Sequence, residues 1–478
     1  MIESQPRRRF LQGLAAAGAL AALPLPLRKL SAAAPRVLRP QPAEAQLVGP
    51  AYPKTAVWAY DGLVPGPTLR LRQGERLAVR LDNGLPQETT LHWHGLRLPN
   101  AMDGVPGVTQ EAVAPGQGFD YAFAAPDAGT FWYHSHAASA EQGARGLAGP
   151  LIVEEAEPAA LAPLQIDREE VWLLADWRLD EQAQLVEPMT TMMDLSHAGR
   201  IGNTVTLNGF IPEAWPVRAG ERVRLRLINA ANARFFALRF EAHEPWVVAV
   251  DGQPCTPFRA RVGGVGLPPA GRVDLLVDLP GRPGSRFTVT DDAYAGSAYK
   301  LLEIAYAEES PLRPAPPPDP AGLPANPLPE PDLDAARTLE IALEGGAMGG
   351  LAEARLHGRT MGLRDLARQG KVWALNGVVA GDHQHPLLAA LKLGESVRLV
   401  MENRTAFPHP MHLHGHHFKL LARDGVPETR GIWHDTVTVR ADSRVEVAFV
   451  ADNPGDWAFH CHIPEHMMAG MTSLFRVE

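Results

Sequence analysis

Hydrophobic and polar residues alternate in short runs along much of the chain, and turn-forming residues separate these runs. Alternation with a period of two residues places one face of a strand in a core and the other toward solvent. Glycine and proline number 44 each in 478 residues, and no long stretch keeps a helical period. The pattern predicts an all-β protein built of β-sandwiches. The clearest strand runs are LAVRLDN (77–83), VRLRLIN (223–229), VDLLVDL (273–279), RFTVTDD (286–292) and RVEVAFV (444–450).

One of these patterns occurs three times. Gly-Glu opens a strand run at residues 74, 220 and 394, and each run ends at an asparagine nine residues after the glycine. Repeats at domain-sized intervals predict a tandem of similar domains and not a solenoid. The Pro-rich stretch 310–331 indicates a semi-rigid, exposed linker. We therefore predict domains at 35–155, 156–310 and 336–478, with the linker at 311–335.

The N-terminus has the pattern of an export signal. Arg7 and Arg8 precede Phe10 and Leu11, an apolar run follows over 14–27, and small residues dominate SAAAP at 31–35. This order predicts a cleaved signal over 1–34, and Arg-Arg-x-Phe-Leu is similar to a twin-arginine signal. We expect the protein to be periplasmic or secreted, the alternative being an uncleaved N-terminal anchor. No other stretch approaches the ~20 apolar residues of a membrane span.

Charge and cysteine content narrow the chemistry. The net charge of −9 is mild for this length and gives no reason to expect a nucleic-acid partner. Export to an oxidising compartment usually brings disulfides, yet the cysteines are only Cys255 and Cys461. Cys461 lies directly between two histidines, which indicates a metal ligand, whereas Cys255 is expected to be a small buried residue.

Most of the 18 histidines fall in four short clusters: HWHG (92–95), WYHSH (132–136), HPMHLHGH (409–416) and HCHIPEH (460–466). Because residues i and i+2 share a face of a strand, each His-x-His pair presents both imidazoles to the same side. His409 has the opposite parity within its cluster, and Cys461 points away from its flanking histidines. Two sites are therefore predicted. One gathers His92, His94, His134, His136, His412, His414, His460 and His462, and the other gathers His409, Cys461 and His466, with Met471 within reach.

These two sets of donors indicate copper. Two imidazoles, a thiolate and a weak thioether form the ligand set of a blue-copper electron-transfer centre. Eight imidazoles without a carboxylate are too many for one ion and indicate a small group of coppers. Zinc is the main alternative, but structural zinc favours tetrahedral Cys/His sets with other spacings. A chance surface pair explains any single His-x-His, but not four clusters of matching parity.

The motifs His-x-His-Gly, His-x-His, His-x-x-His-x-His and His-Cys-His-x3-His-x4-Met resemble those of multicopper oxidases, the family of laccases, cuprous oxidases and ascorbate oxidase. The resemblance spans essentially the whole chain after the signal. It implies three cupredoxin-like Greek-key domains and four coppers, with a trinuclear site between the first and third domains. It assigns His409, Cys461, His466 and axial Met471 to the type 1 copper, His92 and His412 to the type 2 copper, His94, His134 and His462 to one type 3 copper, and His136, His414 and His460 to the other.

The resemblance implies an enzyme that couples four one-electron oxidations of a donor to the reduction of O2 to two waters. As in laccases, the donor would be a phenol, an aromatic amine or a reduced metal ion. A copper-tolerance oxidase with Cu(I) as its main donor is the first alternative. The complete ligand set disfavours a metal-free scaffold protein, and its completeness within one chain disfavours a copper nitrite reductase. The expected partners are the donor and O2, and the chain is expected to be a monomer.

Reduction of O2 also requires protons. Asp103, in PNAMDGVPG, occupies the place of the family's acidic residue beside the cluster, and we assign it a catalytic role in proton transfer. The alternative is an ordinary turn aspartate. The chain departs from the family pattern after His466, because Met467 stands where many bacterial members carry a glutamate. Glu465 is expected to point elsewhere, and Asp435 is expected beneath the type 1 region in a structural role.

Two further segments carry weaker signals. Met189, Met192 and Met193 could touch soft Cu(I), but packing is the preferred interpretation. Residues 382–385 (DHQH) could bind a metal, but a solvated loop is preferred.

Overall fold

The computed structural model describes residues 35–260, 264–382 and 384–478. The predicted export signal at 1–34 lies outside the described residues. Strands dominate the described chain and helices are short, so the prediction of tandem β-sandwich domains is confirmed. Among the described residues, no helix combines the length and apolar character needed to cross a membrane.

The sheets fall in three stretches of the chain: the first covers residues 36–155, the second 168–306 and the third 337–478. The first stretch forms three sheets, with strand orders β1-β5-β7, β2-β3 and β4-β9-β8-β6. Its one α-helix, α1, spans Ser139–Ala144, and a 3-10 turn spans Asn100–Met102. The strands are β1 (Arg36–Leu38), β2 (Pro40–Ala45), β3 (Thr55–Tyr60), β4 (Leu69–Arg72), β5 (Arg76–Asp82), β6 (His92–His94), β7 (Gly118–Ala124), β8 (Gly129–His134) and β9 (Ala148–Glu154).

The second stretch forms a six-stranded sheet, β11-β10-β13-β18-β15-β16, and a five-stranded sheet, β12-β20-β19-β14-β17. A 3-10 turn at Pro158–Leu164 precedes it, and α2 spans Met192–Ser196. The strands are β10 (Arg168–Trp177), β11 (Thr204–Leu207), β12 (Ala214–Val217), β13 (Arg222–Asn229), β14 (Phe236–Phe240), β15 (Trp246–Val250), β16 (Gln253–Arg259), β17 (Val265–Leu267), β18 (Arg272–Asp278), β19 (Arg286–Asp291) and β20 (Tyr299–Tyr306).

The third stretch forms two larger sheets, β24-β21-β26-β32-β28-β29 with β30 paired to β28, and β25-β34-β33-β27-β31, beside the hairpin β22-β23. Helices α3 and α4 span Leu363–Ala367 and Pro464–Met468. The strands are β21 (Arg337–Gly345), β22 (Glu353–Leu356), β23 (Arg359–Gly362), β24 (Trp373–Leu375), β25 (Leu387–Leu391), β26 (Ser396–Asn403), β27 (His409–Leu413), β28 (Phe418–Arg423), β29 (Val426–Pro427), β30 (Trp433–His434), β31 (Thr436–Val439), β32 (Arg444–Val450), β33 (Gly455–Cys461) and β34 (Thr472–Val477).

The cores show how the three stretches meet. One hydrophobic cluster contains buried residues of both the first and the third stretch, for example Trp93 and Trp457, whereas the second stretch has a large core of its own. The alternating polar positions of β13 are buried arginines, because the first stretch covers that face of the sheet. The guanidinium of Arg224 bonds Glu155 at 2.7 Å, and that of Arg226 bonds Thr130 Oγ1 at 2.8 Å.

The Pro-rich linker is mostly exposed, and hydrogen bonds of Asn326 attach it to the neighbouring sheets. The side chain of Asn326 accepts from the backbone N–H of Ala128 at 2.9 Å and donates to its carbonyl oxygen at 2.8 Å. It also donates to Gln253 Oε1 at 2.8 Å. These bonds attach the linker to both the first and the second stretch. The boundaries predicted at 155/156 and at 311–335 stay predictions.

Candidate metal centre

Two strand pairs supply the eight predicted cluster histidines. In the first stretch, β6 pairs with β8 so that His92 lies opposite His134. In the third stretch, β27 pairs with β33 so that His412 lies opposite His460. The second histidine of each motif follows two residues after the first, on the same side of the sheet. His94 is the last residue of β6, and the other three lie just beyond the ends of their strands. The structure therefore brings together all eight residues, namely His92, His94, His134, His136, His412, His414, His460 and His462.

Rings from the two stretches are in contact. The centroids of His92 and His414 lie 4.0 Å apart, and His94 stacks on His412 at 3.9 Å. The ring of His462 lies 4.7 Å from that of His94. Three sets of donor atoms lie within 4.8 Å of one another: His136, His414 and His460; His92, His412 and His414; and His92, His94 and His134. Such spacing suits several ions held between the stretches.

Hydrogen bonds fix which ring nitrogen faces this cluster. His92 Nδ1 donates to Asp103 O at 2.8 Å, and His134 Nδ1 donates to Ser135 O at 2.9 Å. A carbonyl oxygen only accepts, so each Nδ1 carries the proton and each Nε2 has a free lone pair. Both Nε2 atoms are buried without a hydrogen-bond partner, as are His412 Nε2, His94 Nδ1 and both ring nitrogens of His462.

Buried nitrogens without partners are unfavourable unless something else binds them. Metal ligation satisfies them, and histidine ligands characteristically donate their other ring N–H to a carbonyl or carboxylate. Burial lowers the pKa of His94, His136 and His414 well below its ordinary value, with further lowering by neighbouring charges. Burial likewise lowers the pKa of His460 to about 4. These rings are neutral near pH 7, which is the form that binds metal, so the cluster fits a group of coppers.

The second predicted site lies on the other side of β33. Cys461 Sγ is 3.6 Å from both His409 Nδ1 and His466 Nδ1, and these two nitrogens are 3.1 Å apart. All three residues are fully buried. His409 Nε2 bonds Thr405 Oγ1 at 2.8 Å, and His466 Nε2 donates to the carbonyl oxygen of His197 at 2.6 Å. Both Nδ1 atoms are thus left to face the thiol.

The axial candidate lies next to this site. Met471 is fully buried, its carbonyl oxygen accepts from Cys461 N at 3.1 Å, and its N–H donates to His466 O at 3.0 Å. Burial raises the pKa of the Cys461 thiol and lowers that of His466 to about 3. A thiolate here needs a bound cation, and neutral imidazoles suit the same cation. The donor set fits a blue-copper site.

Asp103 bridges the two stretches. Its carboxylate Oδ2 accepts from His414 Nδ1 at 2.8 Å, while its carbonyl oxygen accepts from His92. The other carboxylate oxygen, Oδ1, is buried without a hydrogen-bond partner. Asp103 is therefore more than a turn residue, since its carboxylate touches the cluster.

The location expected for Asp435 is wrong, although its contacts agree with the expected structural role. Its carboxylate Oδ1 lies 3.2 Å from His94 Nε2, and its carbonyl oxygen accepts from His412 Nδ1 at 2.9 Å, so it lies against the eight-histidine cluster and not beneath the thiol site. Burial alone would raise the pKa of this carboxyl, but the charge and hydrogen bonds of Arg272 outweigh burial and lower it. Sequence reasoning missed the contact because it depends on how β31 pairs with β27, which no spacing reveals.

The side chains of Met467 and Glu465 have different surroundings. Met467 lines a small cavity whose wall includes His134, His136, His460 and His462. Glu465 is fully buried, and its Oε1 accepts from Asn232 Nδ2 at 2.9 Å. Burial raises the pKa of Glu465 to about 7.

The remaining candidate residues, namely three methionines, the 382–385 segment and Cys255, differ in their exposure and contacts. Met189 is buried, as the packing interpretation requires, but Met192 and Met193 are 46% and 62% exposed. In the 382–385 segment, the carboxylate of Asp382 accepts from Lys371 Nζ at 2.7 Å. Cys255 is half-buried and free.

Comparison with known proteins agrees with this geometry. Sequence profiles described as multicopper oxidase match residues 43–158, 168–300 and 360–478. The chain is 31% identical over 469 residues to multicopper oxidase MmcO of Mycobacterium tuberculosis, covering 91% of this chain and 85% of that protein. It is 28% identical over 620 residues to copper resistance protein A of Pseudomonas syringae pv. tomato, covering 99% of each. The crystal structure of a multi-copper oxidase from Pseudomonas thermotolerans matches with a TM-score of 0.80 at 34% identity, over 93% of this chain and 99% of that one. The chain therefore belongs to the multicopper oxidase family, oxidoreductases that use copper and O2.

Proposed function

We propose that this protein couples four one-electron oxidations of a donor to the four-electron reduction of O2 to two waters, with four coppers per chain. One observation carries the proposal. Two separate, buried donor sets lie on opposite sides of β33 and are joined through Cys461 and its neighbours. One set suits a single ion that exchanges one electron at a time, and the other suits a cluster that holds several electrons.

The residues divide between the ions as follows. Bound copper supplies one-electron redox chemistry and a site for O2. We propose that His409, Cys461, His466 and Met471 would hold the type 1 copper, His92 and His412 the type 2 copper, and two sets of three histidines the type 3 pair: His94, His134 and His462, and His136, His414 and His460. The close approach of His414 Nε2 and His460 Nε2, at 2.9 Å, supports the second set of three.

The chain itself contributes three things to the reaction. The backbone of residues 460–462 links the two donor sets by a few covalent bonds, which gives electrons a short path. The carboxylate of Asp103 accepts a hydrogen bond from His414 Nδ1, and we propose that it transfers protons to the O2 site. Burial of the cluster histidines keeps them neutral and excludes bulk water from the ligands.

The donor is proposed to react near His466. The Nε2 of this ring bonds the carbonyl oxygen of His197, at the end of α2, so the ring edge lies close to a surface helix. A phenol, aromatic amine or reduced metal ion docked there would need no deep pocket, because electron transfer to a ring edge requires proximity and not a covalent bond. Donor and O2 are the proposed partners of a monomeric chain.

The proposal is tested by stoichiometry on purified protein. We expect copper and a blue absorption band, and four equivalents of a one-electron phenolic donor consumed per O2 without release of peroxide. Cys461→Ser should abolish the blue band and turnover, whereas Cys255→Ser, at the half-buried free cysteine, should keep both. Wild-type protein without copper or O2 consumption, or a Cys461→Ser variant with full turnover, would refute the proposal.

A second donor, Cu(I), is favoured by a specific observation. Met192, Met193 and Met468 expose 46%, 62% and 39% of their surface, although methionine is usually buried. Helices α2 and α4, which carry them, pack against each other beside His466. Thioethers bind soft Cu(I). If Cu(I) is the main donor, replacing all three by leucine lowers kcat/KM for Cu(I) and leaves that for a phenol unchanged.

We also propose export through the N-terminal Arg-Arg-x-Phe-Leu motif, to the periplasm or the medium. Arg7→Lys combined with Arg8→Lys should retain the full-length precursor in the cytoplasm. Cell fractionation with an antibody to the mature chain would show this, and unchanged export of the double variant would refute the route.

A further inference from the structure

A fully buried ion pair joins the second stretch to the copper cluster. Arg272, the first residue of β18, and Asp435, just before β31, both have no solvent exposure. Arg272 Nη1 donates to Asp435 Oδ1 at 2.9 Å, and Nη2 donates to Oδ2. This two-armed contact matches the planar guanidinium to the planar carboxylate. The second stretch supplies none of the predicted ligands, yet Arg272 reaches the edge of their site.

The remaining donors of Arg272 hold it in place from two directions. Its Nε donates to Thr130 O, in the first stretch, at 3.3 Å. Its Nη1 also donates to Ala270 O at 3.1 Å and lies 3.4 Å from Asp251 Oδ1. With Asp435 in the third stretch, all three stretches converge on one guanidinium. Burying a charge is unfavourable unless it is paired and hydrogen-bonded, and here both conditions are met.

Asp435 in turn touches two predicted ligands. Its Oδ1 lies 3.2 Å from His94 Nε2, which leaves His94 Nδ1 as the nitrogen without a partner. Its carbonyl oxygen accepts from His412 Nδ1 at 2.9 Å, which leaves His412 Nε2 free. Thr436 Oγ1 donates to the same Oδ1 at 2.8 Å and closes the arrangement. Asp435 thus contacts two stacked rings that come from different stretches, His94 through its carboxylate and His412 through its carbonyl oxygen.

The glycine of the His-x-His-Gly motif makes room for this pair. Gly95 has φ +86°, a left-handed conformation that other residues rarely adopt. A Cβ at this position would lie 2.6 Å from Asp435 Oδ2 and would overlap Arg272 Nη2. Only glycine therefore leaves enough space for the ion pair against the backbone next to His94.

We propose that Arg272 is a positioning residue for the copper cluster: it holds Asp435 so that the carboxylate leaves His94 Nδ1 and the carbonyl oxygen leaves His412 Nε2 to face copper. This inference rests on the proposed function, because it concerns the same cluster. It gives the second stretch, which lacks ligands of its own, a part in setting the ligand geometry.

Arg272→Lys is the decisive variant. Lysine keeps the charge but cannot form the two-armed contact or the bond to Thr130, so Asp435 and both rings lose their fixed orientation. Arg222→Lys is the matched control: Arg222 is also fully buried in this sheet and contacts Asp278 with two nitrogens, at 2.6 and 3.1 Å. Among the described residues, Arg222 donates its hydrogen bonds to oxygens of Asp167, Leu164, Asp278 and Pro317 and to no histidine.

The readout is the copper of the cluster relative to the blue copper. Within the described chain, the two imidazoles of the thiol site bond Thr405 and His197 and not Arg272 or Asp435. The blue absorbance therefore serves as an internal reference that the Arg272 variant should not change. For Arg272→Lys we expect an unchanged blue band per folded chain, a changed electron paramagnetic resonance signal of the type 2 copper, and about 10- to 100-fold weaker cluster copper in chelator titrations. For Arg222→Lys we expect the wild-type ratio and signal.

Wild-type copper affinity and spectrum in Arg272→Lys would overturn the inference, as would an equal loss in Arg222→Lys. If Arg272→Lys does not accumulate as folded protein, Asp435→Asn provides the same test. Asparagine fits the space but lacks the charge and one carboxylate acceptor, so the contact with His94 weakens; cluster copper should then bind more weakly in the chelator titration, and unchanged cluster affinity would overturn the inference. Wild-type protein with a blue band but no cluster copper would overturn the proposed function, and this inference with it.

Discussion

Replacing Asp103 by asparagine separates the two tasks that the structure gives this carboxylate. Its Oδ2 accepts from His414 Nδ1 at 2.8 Å, and its Oδ1 is buried without a hydrogen-bond partner at the cluster. Asparagine keeps the size and one acceptor oxygen, but it has no charge and cannot carry a proton as a carboxyl does. The variant therefore weakens the first task and abolishes the second.

The two tasks predict different magnitudes. A hydrogen bond to a charged group contributes about 1.5–3 kcal/mol and a neutral one about 1 kcal/mol. Losing the charge in the bond to His414 is therefore expected to slow the O2 reaction by about tenfold, since about 1.4 kcal/mol is a factor of ten. Loss of a general acid or base slows a reaction by about 10²–10⁴-fold. We expect at least about 100-fold, because Asp103 acts in both ways.

Stopped-flow absorption at the blue band measures the two half-reactions separately. Anaerobic mixing with a donor bleaches the band, and mixing of the reduced enzyme with O2 restores it. Asp103→Asn should leave bleaching unchanged and slow recovery. The control is Asp127→Asn, a fully buried aspartate that accepts two bonds of 2.8 Å from Arg97. Equal slowing of both half-reactions would refute the reasoning, and slowing of recovery by only tenfold would refute the proton role.

Three further predictions concern stability. In copper-free protein, Glu465→Gln should be more stable than wild type at pH 8 but not at pH 4. The pKa of Glu465 is about 7 in the folded protein and about 4.5 in the unfolded chain. The free energy of unfolding of the wild type therefore falls by about 3 kcal/mol as pH rises through this window, and urea titrations at both pH values would measure the difference. Asp274→Ala leaves Arg224 and Arg226 buried without their shared partner and should cost about 3–5 kcal/mol in the same assay. Asn326→Ala should speed cleavage of the Pro-rich linker in limited proteolysis without changing copper content.

Strand periodicity was sufficient to predict the architecture and which donors share a side. His92 and His94, or His460 and His462, lie on one face because a strand has a period of two, and that holds in any sandwich. The same rule separated Cys461 and His409 from the cluster before any pairing was known. The side of each cluster histidine and of Cys461 follows from local geometry, whereas His466 lies in helix α4, where the strand period does not apply.

Contacts between stretches were not predictable in this way. Asp435 lies against His94, 341 positions away, because β31 pairs with β27 and the first stretch docks on the third. Likewise, the polar positions of β13 fit a solvated face, yet Arg224 and Arg226 are buried under the first stretch. An alternating pattern is the same whether water or another domain covers its polar side. Only the docked structure distinguishes the two.

The two halves of the reaction therefore depend on the fold to different degrees. The proposed donor site is local: His409, Cys461 and His466 belong to one stretch, and a hydrogen bond from His466 to the carbonyl oxygen of His197 links them to the second stretch. The proposed O2 site is assembled from two stretches, and Asp103 and Arg272 bond its histidines and Asp435 from different sides. A change that loosens the docking of the stretches is thus expected to impair O2 reduction while the blue site persists.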